Sequence, residues 1–354
     1  MHTAEHLFYN ATAILCRGSY ASLKKLSAAH PTWEQAYAHI APPRHDPEIL
    51  LRALEARHIS LILRNDSLFP KLLREIPHPP FGIYVRGILP MCSSFSHAPV
   101  AIVGTRKSTE HARISAGNFA VALGHHSVSV ISGLALGIDA AAHAGALSLG
   151  IATYAVVGHG LDITYPSAHR RLADNIINDG GAIISEYPLG TDCMPYRFLE
   201  RNRIVSGLSR AVVVIEAPEK SGALATARFA LEQNRDVFVV PGPTHHSHYR
   251  GSHQLIRSGA TLVRDPHDLL DDLGISSNSP SSPTPPQTVG CATLEESLIF
   301  TTISNAFDPI PLDKICEITK LSIHTVTSII TTLLLSYAII ETETGYIASN
   351  SRHR

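Results

Sequence analysis

The sequence predicts an α/β fold: an extended Rossmann-like, mainly parallel sheet, with a small helical N-terminal domain and a C-terminal winged-helix-like domain. From about residue 98, short runs of valine, isoleucine and alanine alternate with amphipathic stretches of roughly 10–15 residues. The runs are nearly continuous in apolar residues, as strands covered on both faces require. Helices between such strands form βαβ units, so the sheet is expected to be mainly parallel. The predicted strands are residues 100–104, 127–132, 152–157, 182–185, 211–216, 236–240 and 261–263.

The helical N-terminal domain is predicted to cover residues 1–88 and to be of the SAM or helix-hairpin-helix type. Apolar residues such as Leu23 and Leu50 recur in it at helical spacing. Residues 66–87 are rich in proline and lack that period, so we expect a connector that ends in a short strand, GIYVR. The Rossmann-like domain then covers residues 89–274.

The C-terminal third unit follows a segment of different composition. Residues 275–291 consist mostly of serine, proline and other small or polar residues, which cannot bury a core, and we expect a flexible linker. Residues 292–350 are expected to form three helices followed by a hairpin that turns near Thr344-Gly345. The predicted helices are residues 293–305, 311–318 and 322–336.

Composition limits the class of protein. The chain has 354 residues, enough for two or three domains. Its formal net charge is −1, so a polyanionic partner requires a local basic patch. Five cysteines without a CxxC pair favour a reduced compartment. We expect a cytoplasmic protein without a membrane segment, because no signal-peptide pattern and no apolar run of about 18 residues occurs.

Small and cationic residues follow the predicted strands at the edge where ligands bind in a parallel α/β sheet. The first strand ends in Gly104-Thr105-Arg106-Lys107, the second in Ser132-Gly133, and Lys220-Ser221-Gly222 precedes a helix after the fifth. Glycines allow a close approach of the backbone, and helix-start amides bind anions. These strand ends therefore predict a phosphate site. Ordinary turns, and salt bridges from the cations to Glu216 or Glu219, are the structural alternatives.

A basic stretch lies between the fourth and fifth predicted strands, with Tyr196 and Phe198 among its cations. Basic groups interleaved with aromatic rings suit a single-stranded nucleic acid, whose phosphates need cations and whose bases stack. A solvated basic helix face with core aromatics is the alternative. The arginines are Arg197, Arg201, Arg203 and Arg210.

We find no sequence motif for catalysis, a metal or a cofactor. The chain contains no GxSxG, HExxH or GxxxxGK[ST] pattern. Residues 244–248 and His253 supply several histidines, but no cysteine or carboxylate completes a ligand set nearby, so loop histidines are expected. We therefore predict a binding protein rather than an enzyme.

Together these residues resemble the DNA-processing protein A family, DprA or Smf. The blocks that carry the resemblance span about 170 residues in the family's order. They are IVGTRK, ISGLALGIDAAAHAGAL, VVGHGLDITYPSAHRRL, IISEYPLG, RNRIVSGLS, VVIEAPEKSGALATARFALEQNRDVFVVPG and GSHQLIRSGA.

The resemblance implies a homodimer that binds single-stranded DNA and loads the RecA recombinase during natural transformation. It implies that Arg106 and Lys220 are the main phosphate contacts, while Asn202 and Arg203 support the pocket. The full set of predicted DNA-binding residues is Gly104, Thr105, Arg106, Lys107, Gly133, Arg201, Asn202, Arg203, Lys220, Ser221, Gly222 and Thr226.

Several positions depart from the family pattern. The family more often has serine at Thr105, arginine at Leu136 and asparagine at His253. Residues 14–27 have a poor hairpin signature for DNA binding. Residues 321–345, the expected recognition helix and hairpin, contain no lysine or arginine. Because a winged helix needs phosphate contacts to set its register on DNA, we expect this unit to serve protein contacts or duplex contacts of low affinity.

An enzyme acting on a small phosphorylated substrate is the alternative function. Glycine-rich strand ends with Arg106, Glu186 and Glu216 could hold a nucleotide, as in lysine-decarboxylase-like phosphoribohydrolases. Those proteins carry a PGGxGTxxE block, and the corresponding EKSGALATARFA lacks its glutamate at the matching spacing.

Overall fold

The computed structural model describes residues 3–40, 46–89, 98–275, 293–306, 309–336, 338–342 and 344–348. The chain divides into two compact units, the first of residues 1–108 and 115–276 and the second of residues 109–114 and 277–354. The predicted linker lies outside the described residues apart from Ile275.

The N-terminal part of the first unit begins with four short helices. Their starts follow local capping chemistry: Ser19 accepts a hydrogen bond from the amide of Ser22, and Asp46 precedes a helix that starts with proline. Tyr9 and Phe81 both pack edge-on against Trp33. The helices are α1 (Ala4–Leu15), α2 (Tyr20–Ala29), α3 (Trp33–Ile40) and α4 (Pro47–Glu55).

The first unit contains one nine-stranded sheet in the order β1-β2-β6-β5-β4-β3-β7-β8-β9. β1 and β2 pair antiparallel with each other, β2 pairs antiparallel with β6, and the remaining neighbours are parallel. The strands are β1 (Ile59–Leu63), β2 (Gly82–Gly87), β3 (Val100–Val103), β4 (Val130–Ser132), β5 (Thr153–Val157), β6 (Ala182–Ser185), β7 (Ala211–Val214), β8 (Asp236–Val239) and β9 (Thr261–Leu262).

Helices cover both faces of the sheet, as continuous apolar strands require. Successive residues of one strand enter different cores: Ile184 packs with the core that includes α9 and α10, and Ile183 with the core that includes α1 and α8. The helices are α5 (Lys71–Arg74), α6 (Glu110–His125), α7 (Ile138–Leu147), α8 (Arg170–Asn178), α9 (Pro195–Gly207), α10 (Gly222–Glu232), α11 (Arg250–Arg257) and α12 (Pro266–Asp272).

The mainly parallel sheet is confirmed, and the helical prediction for residues 1–88 is incomplete. β1 and β2 lie within that range and are strands of the sheet. The prediction included GIYVR but missed ISLIL, because a five-residue apolar run cannot be told from a helical segment by periodicity alone. The domain boundary at residues 88–89 stays a prediction.

The second unit contains three helices and a hairpin in the predicted order. They are α13 (Leu294–Ser304), α14 (Leu312–Thr319), α15 (Ile323–Leu335) and the antiparallel strands β10 (Ile339–Thr342) and β11 (Gly345–Ala348). Within the described ranges no single helix is long and apolar enough to cross a membrane; α14 and α15 meet that requirement only as a pair, bent by 115°.

We predict that Ile102→Ala lowers the free energy of unfolding of the first unit by about 2–5 kcal/mol. Ile102 is 0% exposed in β3, an interior strand, so truncation leaves a cavity that its neighbours cannot fill. The matched control Ile49→Ala removes a side chain that is 63% exposed and should change stability by less than about 0.5 kcal/mol. Urea unfolding of both variants measures this, and equal losses would contradict the assigned core.

Candidate functional site

The candidate site is a cleft at the point where the strand order reverses. β3 and β7 are parallel neighbours, but β4 lies on the far side of β3 and β8 on the far side of β7. Ligands of open α/β sheets bind beyond the strand ends at such a switch point. A cavity of about 500 Å³ lies there. All predicted DNA-binding residues except Arg203 line it: Gly104, Thr105, Arg106, Lys107, Gly133, Arg201, Asn202, Lys220, Ser221, Gly222 and Thr226.

Two exposed cations enter this cleft from neighbouring strands. Arg106 follows β3 and Lys220 follows β7. Neither forms an ion pair with a carboxylate of the described residues, so the alternative salt bridges to Glu216 or Glu219 are not formed. A guanidinium can donate two parallel hydrogen bonds to a phosphate, and an ammonium contributes a point charge. Both charges are therefore available to an anion.

The turn after β3 is held tightly against its neighbours. The Thr105 amide donates to the carbonyl oxygen of Glu216 at 2.8 Å. A Cβ at Gly104 would lie 2.8 Å from Cβ of Ile138, so a side chain cannot be accommodated without movement. The Thr105 hydroxyl oxygen accepts from the Lys107 amide at 3.3 Å. This hydroxyl therefore shapes the turn and does not cap the helix that follows.

The start of α10 forms a second wall of the cleft. Ser221 is its N-cap and accepts a hydrogen bond from the Ala223 amide at 3.3 Å. A Cβ at Gly222 would have no heavy atom within 4 Å, so the backbone there borders open space. Asn202 on α9 donates to the Gly222 carbonyl oxygen at 3.3 Å and ties the two helices together. At this wall a ligand can approach the backbone of Gly222 without a steric clash, and it meets the positive end of the helix dipole of α10.

The floor of the cleft is a buried charge pair under Gly133. Arg201 is 4% exposed and donates to the carbonyl oxygen of Val156. The Asp139 carboxylate accepts from the amides of Gly133 at 3.1 Å and Ala135 at 3.3 Å. A Cβ at Gly133 would lie 2.6 Å from Nη2 of Arg201 and 2.6 Å from Oδ2 of Asp139. Glycine is therefore required here by the pair beneath it.

Burial perturbs both members of this pair. It raises the pKa of Asp139, and the nearby Arg201 charge opposes that rise. Burial also lowers the pKa of Arg201 to about 10, with the Asp139 charge acting in the opposite direction and Arg106 in the same one. Arg201 consequently stays protonated at neutral pH. Its charge is largely balanced within the floor, whereas Arg106 is exposed above it.

Two arginines of α9 lie away from the cleft. Arg203 is buried, pairs with Glu186 and lies over the ring of Tyr20 at 5.2 Å. Arg197 is buried and donates to the carbonyl oxygen of Asp192 at 2.6 Å. The solvated basic face considered in the sequence is therefore wrong for both residues. Arg203 can support the cleft only through the position of α9.

An aromatic rim, defined here as Tyr165 and Phe198, lies at the cleft: Phe198 lines it, and Tyr165 packs against Phe198. The guanidinium carbon of Arg106 lies 5.0 Å from the Phe198 ring centre, and the two rings are 5.5 Å apart. Tyr165 is 46% exposed, and Tyr196, two residues before Phe198, is 51% exposed. A planar base can stack on exposed rings of this kind.

Further residues line the cleft, and of these only Phe198 was singled out in the sequence, as an aromatic ring for base stacking. They are Val103, Ala135, Asp139, Pro195, Phe198, Leu199, Val205, Pro218, Ala223 and His248. The position of Phe198 among the arginines indicated this role in the sequence. The sequence indicated His248 less clearly: it follows Pro241-Gly242, which come directly after a strand that ends at the same edge of the sheet.

The departures from the family pattern are placed as follows. Leu136 is 49% exposed, next to the lining residue Ala135. His253 bonds through Nε2 to the carbonyl oxygen of Gly242 at 2.9 Å and stacks on Tyr249. In the described part of the chain, no group of three or more histidine, cysteine or acidic side chains is placed to hold a metal ion.

Fold and cleft together define an open α/β protein with a cleft at its switch point that is lined by exposed cations. The family model of DNA recombination-mediator protein A matches residues 60–274, and the chain belongs to this family. Protein Smf of Escherichia coli is 39% identical over 242 residues, which cover 68% of this chain and 64% of that protein. Protein Smf of Synechocystis is 41% identical over 65% of this chain and 58% of its own length. The chain thus spans about six tenths of the length of these two relatives.

Two solved structures share the fold. DNA processing protein A of Streptococcus pneumoniae has a TM-score of 0.62 and 31% identity, over 77% of this chain and 99% of that one. The protein from Helicobacter pylori, described for its single-stranded DNA binding mode, has a TM-score of 0.54 and 28% identity, over 61% of this chain and 95% of that one.

We predict that Arg201→Met lowers the free energy of unfolding by about 3–5 kcal/mol at neutral pH, because it leaves the Asp139 carboxylate buried without its counter-charge. A carboxyl group whose folded-state pKa is raised stabilises the fold below its unfolded pKa and loses that stability as pH rises through the folded value. The loss should therefore be smaller at about pH 5 than at about pH 7.

Urea unfolding at both pH values tests this prediction. Arg228→Met removes an exposed arginine of α10 and serves as the control. Adding Asp139→Asn to the first variant should recover part of the loss. If Arg201→Met were as stable as the wild type at neutral pH, the result would contradict a stabilising interaction between Arg201 and Asp139.

Proposed function

We propose that this chain binds single-stranded DNA in the cleft and acts as a recombination mediator that protects incoming DNA and loads a RecA-class recombinase, including in natural transformation. The observation that carries the proposal is the presence of Arg106 and Lys220, both exposed and without carboxylate partners among the described residues, in one cleft. A turn does not need a cation, and a polynucleotide backbone does.

The geometry suits successive phosphates better than a single small anion. The guanidinium of Arg106 and the ammonium of Lys220 stand at the ends of different strands, and Lys107 is a third exposed cation beside them. Amides at the start of α10 add donors without charge. These groups contact backbone and not base edges, so binding is expected to tolerate any sequence.

The aromatic rim provides the second element that a single strand requires. Bases released from pairing can stack on Tyr165 and Phe198 while their phosphates lie against the cations. Arg106 contacts the Phe198 ring and can reach a phosphate, so it joins the two elements. A double helix keeps its bases inside, and only a single strand can use both elements.

Membership of the family supports this function, as does the single-stranded DNA binding described for the Helicobacter protein. A homodimer, a RecA-class partner and a cytoplasmic location belong to the same proposal. The enzyme alternative has less support, because Glu186 is paired with Arg203 away from the cleft and Glu216 is fully buried and does not line it.

We predict that Arg106→Ala and Lys220→Ala each weaken binding of a labelled oligothymidylate and flatten its salt dependence. Each variant removes about one phosphate contact, so the slope of log K against log salt should fall by about 0.7 in magnitude. Fluorescence anisotropy titrations over a series of salt concentrations measure both quantities.

The control for these variants is Arg171→Ala, which removes an exposed cation of α8 that does not line the cleft. It should leave affinity and slope close to those of the wild type. Equal slopes in all four proteins would contradict the cleft as the DNA site. Hydrolysis of nucleoside monophosphates without oligonucleotide binding would favour the enzyme alternative.

We predict that deletion of residues 275–354 leaves the affinity for single-stranded DNA within a few-fold of the wild type. The reason is the lack of lysine and arginine in residues 321–345, which include α15 and most of the hairpin. The same anisotropy assay compares the two proteins. A much larger loss would assign DNA contacts to the second unit.

A further inference from the structure

The cleft contains a histidine whose orientation is set by a buried carboxylate. Glu216 follows β7 and is 0% exposed, and its carboxylate is hydrogen-bonded to Nδ1 of His248. His248 lies in the short turn Ser247–Tyr249 before α11, and its side chain is 34% exposed. It lines the same cleft as Arg106 and Lys220. The loop between β8 and α11 therefore also contributes a residue to the cleft, beside the residues that follow β3 and β7.

The second ring nitrogen of His248 is the one open to a ligand. Nδ1 is taken by Glu216, and Nε2 has no hydrogen-bond partner among the described residues. A carboxylate on one ring nitrogen fixes the orientation of the other, which is how second partners position histidine ligands elsewhere. A ligand that binds at Nε2 therefore finds this nitrogen held in one orientation.

Protonation decides what that nitrogen can bind. In the neutral ring, Nδ1–H donates to Glu216 and Nε2 is an acceptor, which repels a phosphate oxygen. In the imidazolium, both nitrogens donate, so Nε2–H can bond to phosphate while Nδ1–H keeps Glu216. Histidine is the side chain whose ordinary titration falls between about pH 5 and 8. Phosphate binding and proton uptake at this ring are therefore linked.

The charges around His248 act in both directions. Glu216 at the end of β7 favours the imidazolium, whereas Lys220 before α10 and Arg106 after β3 line the same cleft and oppose it. His246 of the same loop has its ring 5.2 Å away. At the floor, the charge of Arg201 is balanced by Asp139. A bound phosphate shields the two cations and shifts the balance towards the protonated ring.

The remaining groups near the cleft do not reproduce this arrangement. Lys107 shares the cleft, but an ammonium group is only a donor and has no second nitrogen to be positioned by a carboxylate. Glu219, which precedes Lys220, does not line the cleft. His253 uses its Nε2 on the Gly242 carbonyl oxygen.

We propose that His248, positioned by Glu216, is a proton-dependent phosphate contact, so that this cleft binds single-stranded DNA more tightly as pH falls through the range in which histidine gains its proton. The inference rests on the proposed function of the cleft. It adds one contact that is present only in the protonated state, beside the permanent contacts of Arg106 and Lys220.

The test is the dissociation constant of a labelled oligothymidylate between about pH 6 and about pH 8 at constant ionic strength. Wild-type binding should tighten by about five- to tenfold towards the lower pH, because a full proton uptake changes affinity tenfold per pH unit. In His248→Gln the dependence should largely disappear, and the affinity at about pH 8 should stay within about twofold of the wild type. His245→Gln, an exposed histidine of the same loop outside the cleft, should keep the wild-type dependence.

A second readout separates a phosphate contact from a structural role. Calorimetric titration at about pH 7 in two buffers of different ionisation enthalpy should show net proton uptake on binding in the wild type and less in His248→Gln. Glu216→Gln should also reduce the uptake, since it removes the charge that favours the imidazolium. Unchanged pH dependence and proton uptake in His248→Gln would overturn the inference. Failure of the wild type to bind the oligonucleotide at any pH would overturn the proposed function instead.

Discussion

The parallel pairing of β3 with β7 is the constraint on which the site depends. The two strands run in register from Val100 opposite Ala211 to Val103 opposite Val214, and the Thr105 amide continues the pairing by bonding to the Glu216 carbonyl oxygen at 2.8 Å. Chain segments that are more than 100 residues apart in sequence thus leave the sheet side by side. Because both segments leave the sheet at the same edge, the cations that follow β3 and β7 share one cleft with the amides at the start of α10.

The floor of the cleft resolves an electrostatic problem that this arrangement creates. Cations gathered at one edge repel each other, and a further arginine beneath them would add to that repulsion. Arg201 is buried there, yet Asp139 balances its charge, and the carboxylate in turn receives amide hydrogen bonds from Gly133 and Ala135. A buried charge is tolerated when it is paired with an opposite charge, even though Nε of Arg201 has no hydrogen-bond partner among the described residues. The exposed cations above it can therefore remain without protein partners.

Sequence patterns predicted the parts of the structure that depend on local regularity. The apolar runs located the strands of the parallel sheet, and the rule that ligands bind at the carboxyl ends of parallel strands correctly placed Arg106 and Lys220 at one edge. Sequence patterns could not show which arginine of α9 faces the cleft and which forms an ion pair elsewhere. Arg203 lies two residues after Arg201 in the same basic stretch, but it is paired with Glu186 away from the cleft. The role of His248 depends on a carboxylate 32 positions earlier, a contact that only tertiary structure defines.

A chain with a net charge of −1 can bind a polyanion only through a local cluster of cations that acts at short range. Three exposed cations in one cleft neutralise about three phosphates, which gives modest affinity and a slope of log K against log salt of about 2 in magnitude. A homodimer would place a second cleft on the same strand, where binding becomes intramolecular and affinity rises without any new type of contact. Dimerisation, which belongs to the proposed function, would then be the physical means by which weak individual sites hold a long single strand.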